Sequence, residues 1–266
     1  MLELEFAQLT DAGPVRDQNE DSVGFFQPAS VKQLHDQGWC FVLADGMGGH
    51  GHGEVASSLA VDTVLSGFRK IPPGVVHMSL LPRLVQDANL AVYEAGHKNH
   101  TSGARMGSTI VVCALRFDSA VISHVGDSRC YLFRSGQAEA LTHDHTMVGE
   151  QVRLNLLSEA DAAESDSKHV LTRSLGSEMF VAADTITVNI IPGDILMLCS
   201  DGLHGEVSAS IMERILAANK DLKVAAEKLI AAAHFAGGHD NVSVQLIRIQ
   251  AVERMGLYRG RPYRML

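Results

Sequence analysis

The order of the periodic segments constrains this chain most: strand-like runs come in groups, helix-like runs in pairs. Short segments rich in β-branched and other apolar residues recur at 4–9, 22–26, 39–44, 108–116, 120–125, 129–134, 184–190, 194–199 and 241–249. Helical spacing links Ala56, Leu59, Ala60, Thr63 and Val64, and again Leu222, Ala225, Ala226, Leu229, Ile230 and Ala233; 78–97 and 208–218 read as two further helices. A parallel sheet needs a strand after each helix, yet the helix starting near Glu54 is followed by Pro72-Pro73-Gly74 and then another helix. The grouping therefore predicts an α+β layered domain with antiparallel sheets. Gly126-Asp127-Ser128 reads as a hairpin connection between 120–125 and 129–134, with the next turn at Ser135-Gly136. No internal repeat is visible, and one domain is expected over 1–250. Its irregular acidic stretch, 146–174, reads as a flap in which Leu154, Leu156 and Leu157 suggest a helical turn. Residues 251–266 form a basic tail carrying Arg254, Arg259, Arg261 and Arg264.

The stretch Gly46 to Gly51 satisfies G-x-G-x-x-G between a strand-like and a helix-like segment, which is the setting of a dinucleotide fingerprint. Two features oppose that reading. The next element is a second helix, and Asp45, just ahead of the glycines, would set a carboxylate against a pyrophosphate. The net charge of −9 likewise opposes a broad nucleic-acid surface, which needs clustered Lys and Arg. No apolar stretch approaches the roughly 20 residues of a membrane span, and the amino terminus lacks a leader pattern; a cytoplasmic location is expected.

Other chemistries are disfavoured by spacing. Cys40, Cys113, Cys130 and Cys199 sit in apolar runs without C-x-x-C pairs and read as buried free thiols. A phosphocysteine route needs an Arg six residues after the thiol, and those positions hold Gly46, Ser119, Gly136 and Gly205. His143, His145 and His239 match no common zinc spacing and read as structural. Gly107-Ser108-Thr109 lacks the nucleophile-elbow form and reads as a strand start.

Three aspartates share a local setting: Asp45 follows 39–44, Asp201 follows 195–200, and Asp240 precedes 242–249. Each alone could be a turn residue or a helix cap, as Asp-Gly often is. Meeting at one rim, they would repel one another unless cations intervene, and oxygen donors without a companion Cys select Mg²⁺ or Mn²⁺. Near the amino terminus, Arg16 offers a planar fork suited to phosphate oxygens, and Glu20 and Asp21 could hold metal-bound water; a solvated charged turn is the alternative for that run.

RDQNEDS at 16–22, ADGMGGHG at 44–51, GST at 107–109, VGDSR at 125–129, LTHDH at 141–145, LTRSLG at 171–176, CSDGL at 199–203 and GGHDNVS at 237–243 follow one another along nearly the whole chain. In this succession the chain resembles the metal-dependent Ser/Thr protein phosphatases of the PPM or PP2C type, particularly the bacterial ones. The resemblance implies a four-layer α-β-β-α sandwich, two antiparallel sheets flanked by paired helices, with a dinuclear Mn²⁺ or Mg²⁺ centre at one end. Asp45 would bridge both metals, the Gly46 carbonyl would complete one, Asp201 and Asp240 the other, and Asp127 would help hold a third, weaker ion. The implied activity is hydrolysis of phosphoserine and phosphothreonine on proteins by a metal-bridging hydroxide, with Arg16 clamping the non-reacting oxygens and a bacterial Ser/Thr kinase as the opposing enzyme; a monomer is expected. Met47 stands where eukaryotic relatives carry a proposed acid, a His, leaving His50 or metal-bound water to protonate the leaving alkoxide; His52 reads as a solvent-exposed loop residue. Two alternatives remain: a two-metal phosphoesterase acting on small phosphomonoesters, and a silent phosphoprotein-binding module, which the full set of carboxylates opposes.

Overall fold

Strand β3 (Trp39–Met47) shows why its sequence reads as an uninterrupted apolar run. Cys40, Val42 and Ala44 point into one core, Phe41 and Leu43 into another. A strand covered on both faces has no side left for polar residues. The structure, a computed structural model, describes residues 1–48, 52–98, 106–158, 161, 165, 167–258 and 261–264, those beyond Arg254 by backbone alone.

Two antiparallel sheets stack face to face. One is ordered β1 (Glu3–Asp11), β11 (Val242–Ala251), β10 (Ile195–Cys199), β7 (Arg129–Arg134), β8 (Gln137–Ala140). The other runs β2 (Asp21–Phe26), β3, β5 (Ile110–Arg116), β6 (Ser119–Val125), β9 (Asp184–Asn189), with the short β4 (Gly107–Ser108) on the end of β3. Between them lies a core containing an aromatic cluster in which Phe6 meets Phe25, Trp39 and Phe41 edge-on. Helices α2 (His52–Arg69) and α3 (His77–Lys98) cover the outer face of the second sheet. The first sheet is covered by α6 (Ala209–Ala218) and α7 (Leu222–Ala236). The layers are therefore helix, sheet, sheet, helix, and all four cysteines are buried and unpaired within them.

Four details differ from the sequence reading. Gly126-Asp127-Ser128 is a crossover, not a hairpin: β6 pairs with β5 and β9, whereas β7 pairs with β10 and β8. Turn residues announce a chain reversal, but pairing partners are chosen by the faces the strands bury. The true two-residue hairpin follows at Ser135-Gly136, where both residues have positive φ, as a type I′ turn requires. In the flap, the helical turn is α4 (Met147–Arg153), upstream of the leucines. Thr146 caps it by accepting the Gly149 N–H, and Asn155, at φ 55°, diverts the chain beyond it. Helix α1 (Val31–Asp36) has one buried residue, Leu34, too few to leave a periodic signal. The tail adds a small hairpin, β12 (Met255–Tyr258) with β13 (Arg261–Arg264).

Candidate metal centre

One end of the sandwich gathers the end of β3, the β6–β7 crossover, the end of β10 and the start of β11. Asp45 lies within β3, directly across from Asp21 on β2. Its backbone is fixed by the Gly107-Ser108-Thr109 segment: the Asp45 N–H donates to Thr109 Oγ1 (3.1 Å), and its carbonyl accepts from the Thr109 N–H (2.8 Å) and Ser108 Oγ (2.8 Å). Asp201 opens the short helix α5 (Asp201–His204), and Asp240 and Asn241 lead into β11. A cleft of about 270 Å³ is lined by Arg16, Glu20, Asp45, Gly46, Asp127, Asp201 and Asp240, together with His169, Thr109 and Asn241.

The glycines of the loop serve a different purpose from phosphate binding. A Cβ on Gly46 would lie 2.0 Å from the Gly53 carbonyl oxygen, and the Gly46 N–H donates to the Glu20 carbonyl at 3.0 Å. Bare backbone lets α2 press against the end of β3, so Asp45 stays in a regular strand and faces the cleft.

Of the residues singled out in the sequence, Arg16, Glu20, Asp45, Gly46, Asp127, Asp201 and Asp240 meet at this cleft. Asp21 sits behind it, buried, its Oδ2 accepting from Ser200 Oγ at 2.8 Å. His50 lies outside the described residues. Three contributors were assigned no role from the sequence, although Thr109 and Asn241 lie in the GST and GGHDNVS motifs. Asn241 donates to the Ala12 and Gln18 carbonyls (2.9 Å each) and accepts from the Glu20 N–H (2.8 Å), fastening the loop that carries Arg16. Thr109 holds Asp45 as described. His169, in the aperiodic flap, puts Nδ1 3.7 Å from Asp201 Oδ2.

Negative charge dominates the electrostatics. Burial, then repulsion from Asp21 and Asp201, raises the Asp45 carboxyl well above the usual carboxylate range. Burial likewise pushes Asp21 and Asp127 up to about 7, Asp201 adding to both. Burial acts on Asp201 in the same sense, but the imidazoles of His169 and His204 and the neighbouring Asp45 carboxyl outweigh it and hold Asp201 low. The carboxyls at this rim thus oppose one another's ionisation. Arg16 offers a partial counter-charge, Nη2 donating to Asp240 Oδ2 at 2.7 Å and Nε to the His239 carbonyl at 3.2 Å. At an effective dielectric constant of about 20, like charges about 4 Å apart repel by roughly 4 kcal/mol. That is a large share of a folding free energy of roughly 5–15 kcal/mol. Protons or cations must therefore complete the cluster. Asp21 Oδ1 and Asp201 Oδ1 are buried without a hydrogen-bond partner, and the donors are all oxygens, so hard divalent cations fit the residues present.

A second titratable cluster, His124, His145 and Asp184, has ligand atoms within 4.8 Å of one another. Proton accounting argues against a metal there. The Gly126 N–H donates to His145 Nδ1 (3.1 Å), so Nε2 of the neutral ring carries the proton and meets Asp184 Oδ2 at 3.3 Å. His124 Nε2 donates to the His143 carbonyl at 2.9 Å, and Arg173 holds Asp184 Oδ1 at 2.8 Å. The structural reading of the LTHDH histidines agrees with this arrangement.

Comparison with known proteins places this geometry among phosphatases. Residues 18–232 match the family model described as protein phosphatase 2C. The serine/threonine phosphatase stp of Listeria innocua is 35% identical over 256 residues, covering 95% of this chain and 96% of that protein. Among solved structures, the Streptococcus agalactiae serine/threonine phosphatase superposes with a TM-score of 0.83 at 31% identity, covering 93% of this chain and 100% of the other. The catalytic domain of the phosphatase PstP, solved in complex with two manganese ions, gives 0.79 at 30% identity, with 94% and 100% covered.

Proposed function

This chain belongs to the protein phosphatase 2C family, and from that premise we propose that Asp45, Asp201, Asp240 and the Gly46 carbonyl hold two Mn²⁺ or Mg²⁺ ions for the hydrolysis of phosphoserine and phosphothreonine on proteins. The observation carrying this reading is the convergence, in one cleft, of buried and half-buried carboxylates from distant points in the chain with, among the described residues, too few cationic side chains to offset them. When bound, the cations supply positive charge for the phosphoryl oxygens and lower the pKa of a water.

The protein's own residues organise the rest. Ser108 and Thr109 hold the Asp45 backbone, so its carboxylate enters the cleft without searching conformations. Arg16, half-exposed at the cleft edge, keeps donors available beyond those directed to Asp240 and His239 and can clamp non-reacting phosphoryl oxygens. Asn241 sets the position of Arg16 and Glu20 through three hydrogen bonds. Glu20, whose carboxyl is pushed up by burial, and Asp21 orient water at the inner wall. Asp127 holds a further, weaker cation. Either His50 or a water would supply the proton to the departing alkoxide.

No helix among the described residues is long and apolar enough to cross a membrane. A monomeric enzyme acting in the cytoplasm against a Ser/Thr kinase completes the proposal, with residues 1–250 as the catalytic domain and 146–174 as a flap over it. The test is Mn²⁺-dependent phosphate release from phosphoserine and phosphothreonine peptides and from p-nitrophenyl phosphate, with Asp45→Asn as control. Activity on both substrates, lost in the variant, is expected; equal rates in wild type and Asp45→Asn would overturn the role of Asp45. Hydrolysis of p-nitrophenyl phosphate alone would favour small phosphomonoesters as substrates.

A further inference from the structure

The Gly126-Asp127-Ser128 crossover passes from one sheet to the other without strand pairing, so no ladder of hydrogen bonds fixes the Asp127 backbone. It is held from three sides instead. His204 Nε2 lies 2.9 Å from the Asp127 carbonyl oxygen. A carbonyl only accepts, so Nε2 carries the proton. His145 takes both peptide groups of Gly126, its ring accepting the Gly126 N–H at 3.1 Å and its own N–H donating to the Gly126 carbonyl at 3.0 Å. Below, Ser128 Oγ and Thr109 Oγ1 are 2.7 Å apart. His204 alone of these touches Asp127 itself, and it closes α5, the four-residue helix that Asp201 opens.

We propose that His204 is a positioning residue that sets the Asp127 carboxylate relative to Asp201, so that cation binding by Asp127 depends on the His204 to Asp127 hydrogen bond. The inference rests on the reading of this cleft as a metal centre. It assigns a task to a residue that neither lines the cleft nor stands out in the sequence.

The experiment is a calorimetric titration of EDTA-stripped protein with Mn²⁺, supported by electron paramagnetic resonance of the free ion, on wild type, Asp45→Asn, Asp127→Asn, His204→Leu, His204→Gln and the Asp127→Asn/His204→Leu double variant. The cation weakened by Asp127→Asn identifies the relevant binding event. His204→Leu is expected to weaken that same event about tenfold while leaving the tighter binding within about twofold. His204→Gln, which retains an N–H at similar reach, is expected to recover most of the loss, and the double variant to bind no worse than Asp127→Asn alone. If His204→Leu does not fold, His204→Asn replaces it, since its shorter amide withdraws the donor. Wild-type Mn²⁺ binding in the donor-lacking variant, failure of Gln to rescue, or multiplied losses in the double variant would each overturn the proposal, as would unchanged binding in Asp127→Asn. Unchanged binding in Asp45→Asn would instead remove the metal centre on which it rests.

Discussion

Two charged clusters lie near the same end of the molecule and solve opposite problems. In the cleft, Glu20, Asp45, Asp127, Asp201 and Asp240 face, among the described residues, only Arg16 and His169. Beneath the flap, Arg173 joins Asp184 (2.8 Å) to Glu150 (3.2 Å), Arg153 takes the other oxygen of Glu150 (2.6 Å), and two neutral histidines fill the space behind. The second cluster balances its own charge. The first does not, and that deficit separates a cation site from a structural network, although the flap cluster has the tighter set of potential ligand atoms. Counting protons and charges distinguishes them where ligand proximity does not.

The comparison can be broken most decisively at Asp45. Asp45→Asn should cut Mn²⁺-dependent phosphatase activity by about 10³-fold, on the order of 4 kcal/mol of transition-state stabilisation. It should also raise the melting temperature of the metal-free protein, because a buried carboxyl that is costly either to ionise or to protonate is gone. A variant that loses activity and metal-free stability together would contradict the charge-deficit reading. Cation removal comes next. Chelation with EDTA should lower the melting temperature by roughly 5–10 °C relative to protein with Mn²⁺ about a hundredfold above its dissociation constant, which corresponds to about 2.7 kcal/mol. Calorimetry at several Mn²⁺ concentrations measures it.

In the flap cluster the expected response is independent of metal. Arg173→Met strips Asp184 and Glu150 of their shared partner and should destabilise the protein by about 1–2 kcal/mol, equally with Mn²⁺ and with EDTA. A loss confined to the Mn²⁺-loaded form would show that the flap cluster serves the metal centre.

The smallest effect is a difference in pH slope. Asp21 and Asp127 have folded-state pKa values raised to about 7, so their contribution to metal-free stability is fully present below about 4, the range of a free carboxyl, and is lost as pH rises to 7. His145 is lowered to about 4, burial first and then His124 and Arg173 disfavouring its charge. Its contribution is complete above about 6.5 and is lost as pH falls to 4. In EDTA, Asp127→Asn should therefore flatten the decline in stability above pH 4, and His145→Gln the decline below pH 6.5. Urea unfolding between pH 4 and 8 reads both slopes.

Much of the fold was legible because covered strands leave strong apolar runs. The nine sequence-predicted strands all appear, with ends displaced by at most a few residues. The paired helices appear as well, since α2 and α7 each bury one continuous stripe. The Gly126 crossover was misread because a glycine-containing reversal looks the same whether the next strand pairs with the last or joins the facing sheet. The aspartates were visible as strand-end residues. Asn241 and Thr109 lay within motifs, but their tasks, and that of His169, were not legible, because contacts between residues dozens or hundreds of positions apart leave no local periodicity.

From the chain alone follow the layered α+β class, the free buried thiols and the family motifs that flag the aspartates, because each is encoded in nearest-neighbour chemistry: spacing, turn residues and apolar runs. Which carboxylates share a cleft, which one is walled in behind it, and which histidines spend their protons on backbone carbonyls and a carboxylate were decided only when the two sheets stacked. Burial and Coulomb repulsion depend on through-space distance, and that distance exists only in the folded molecule.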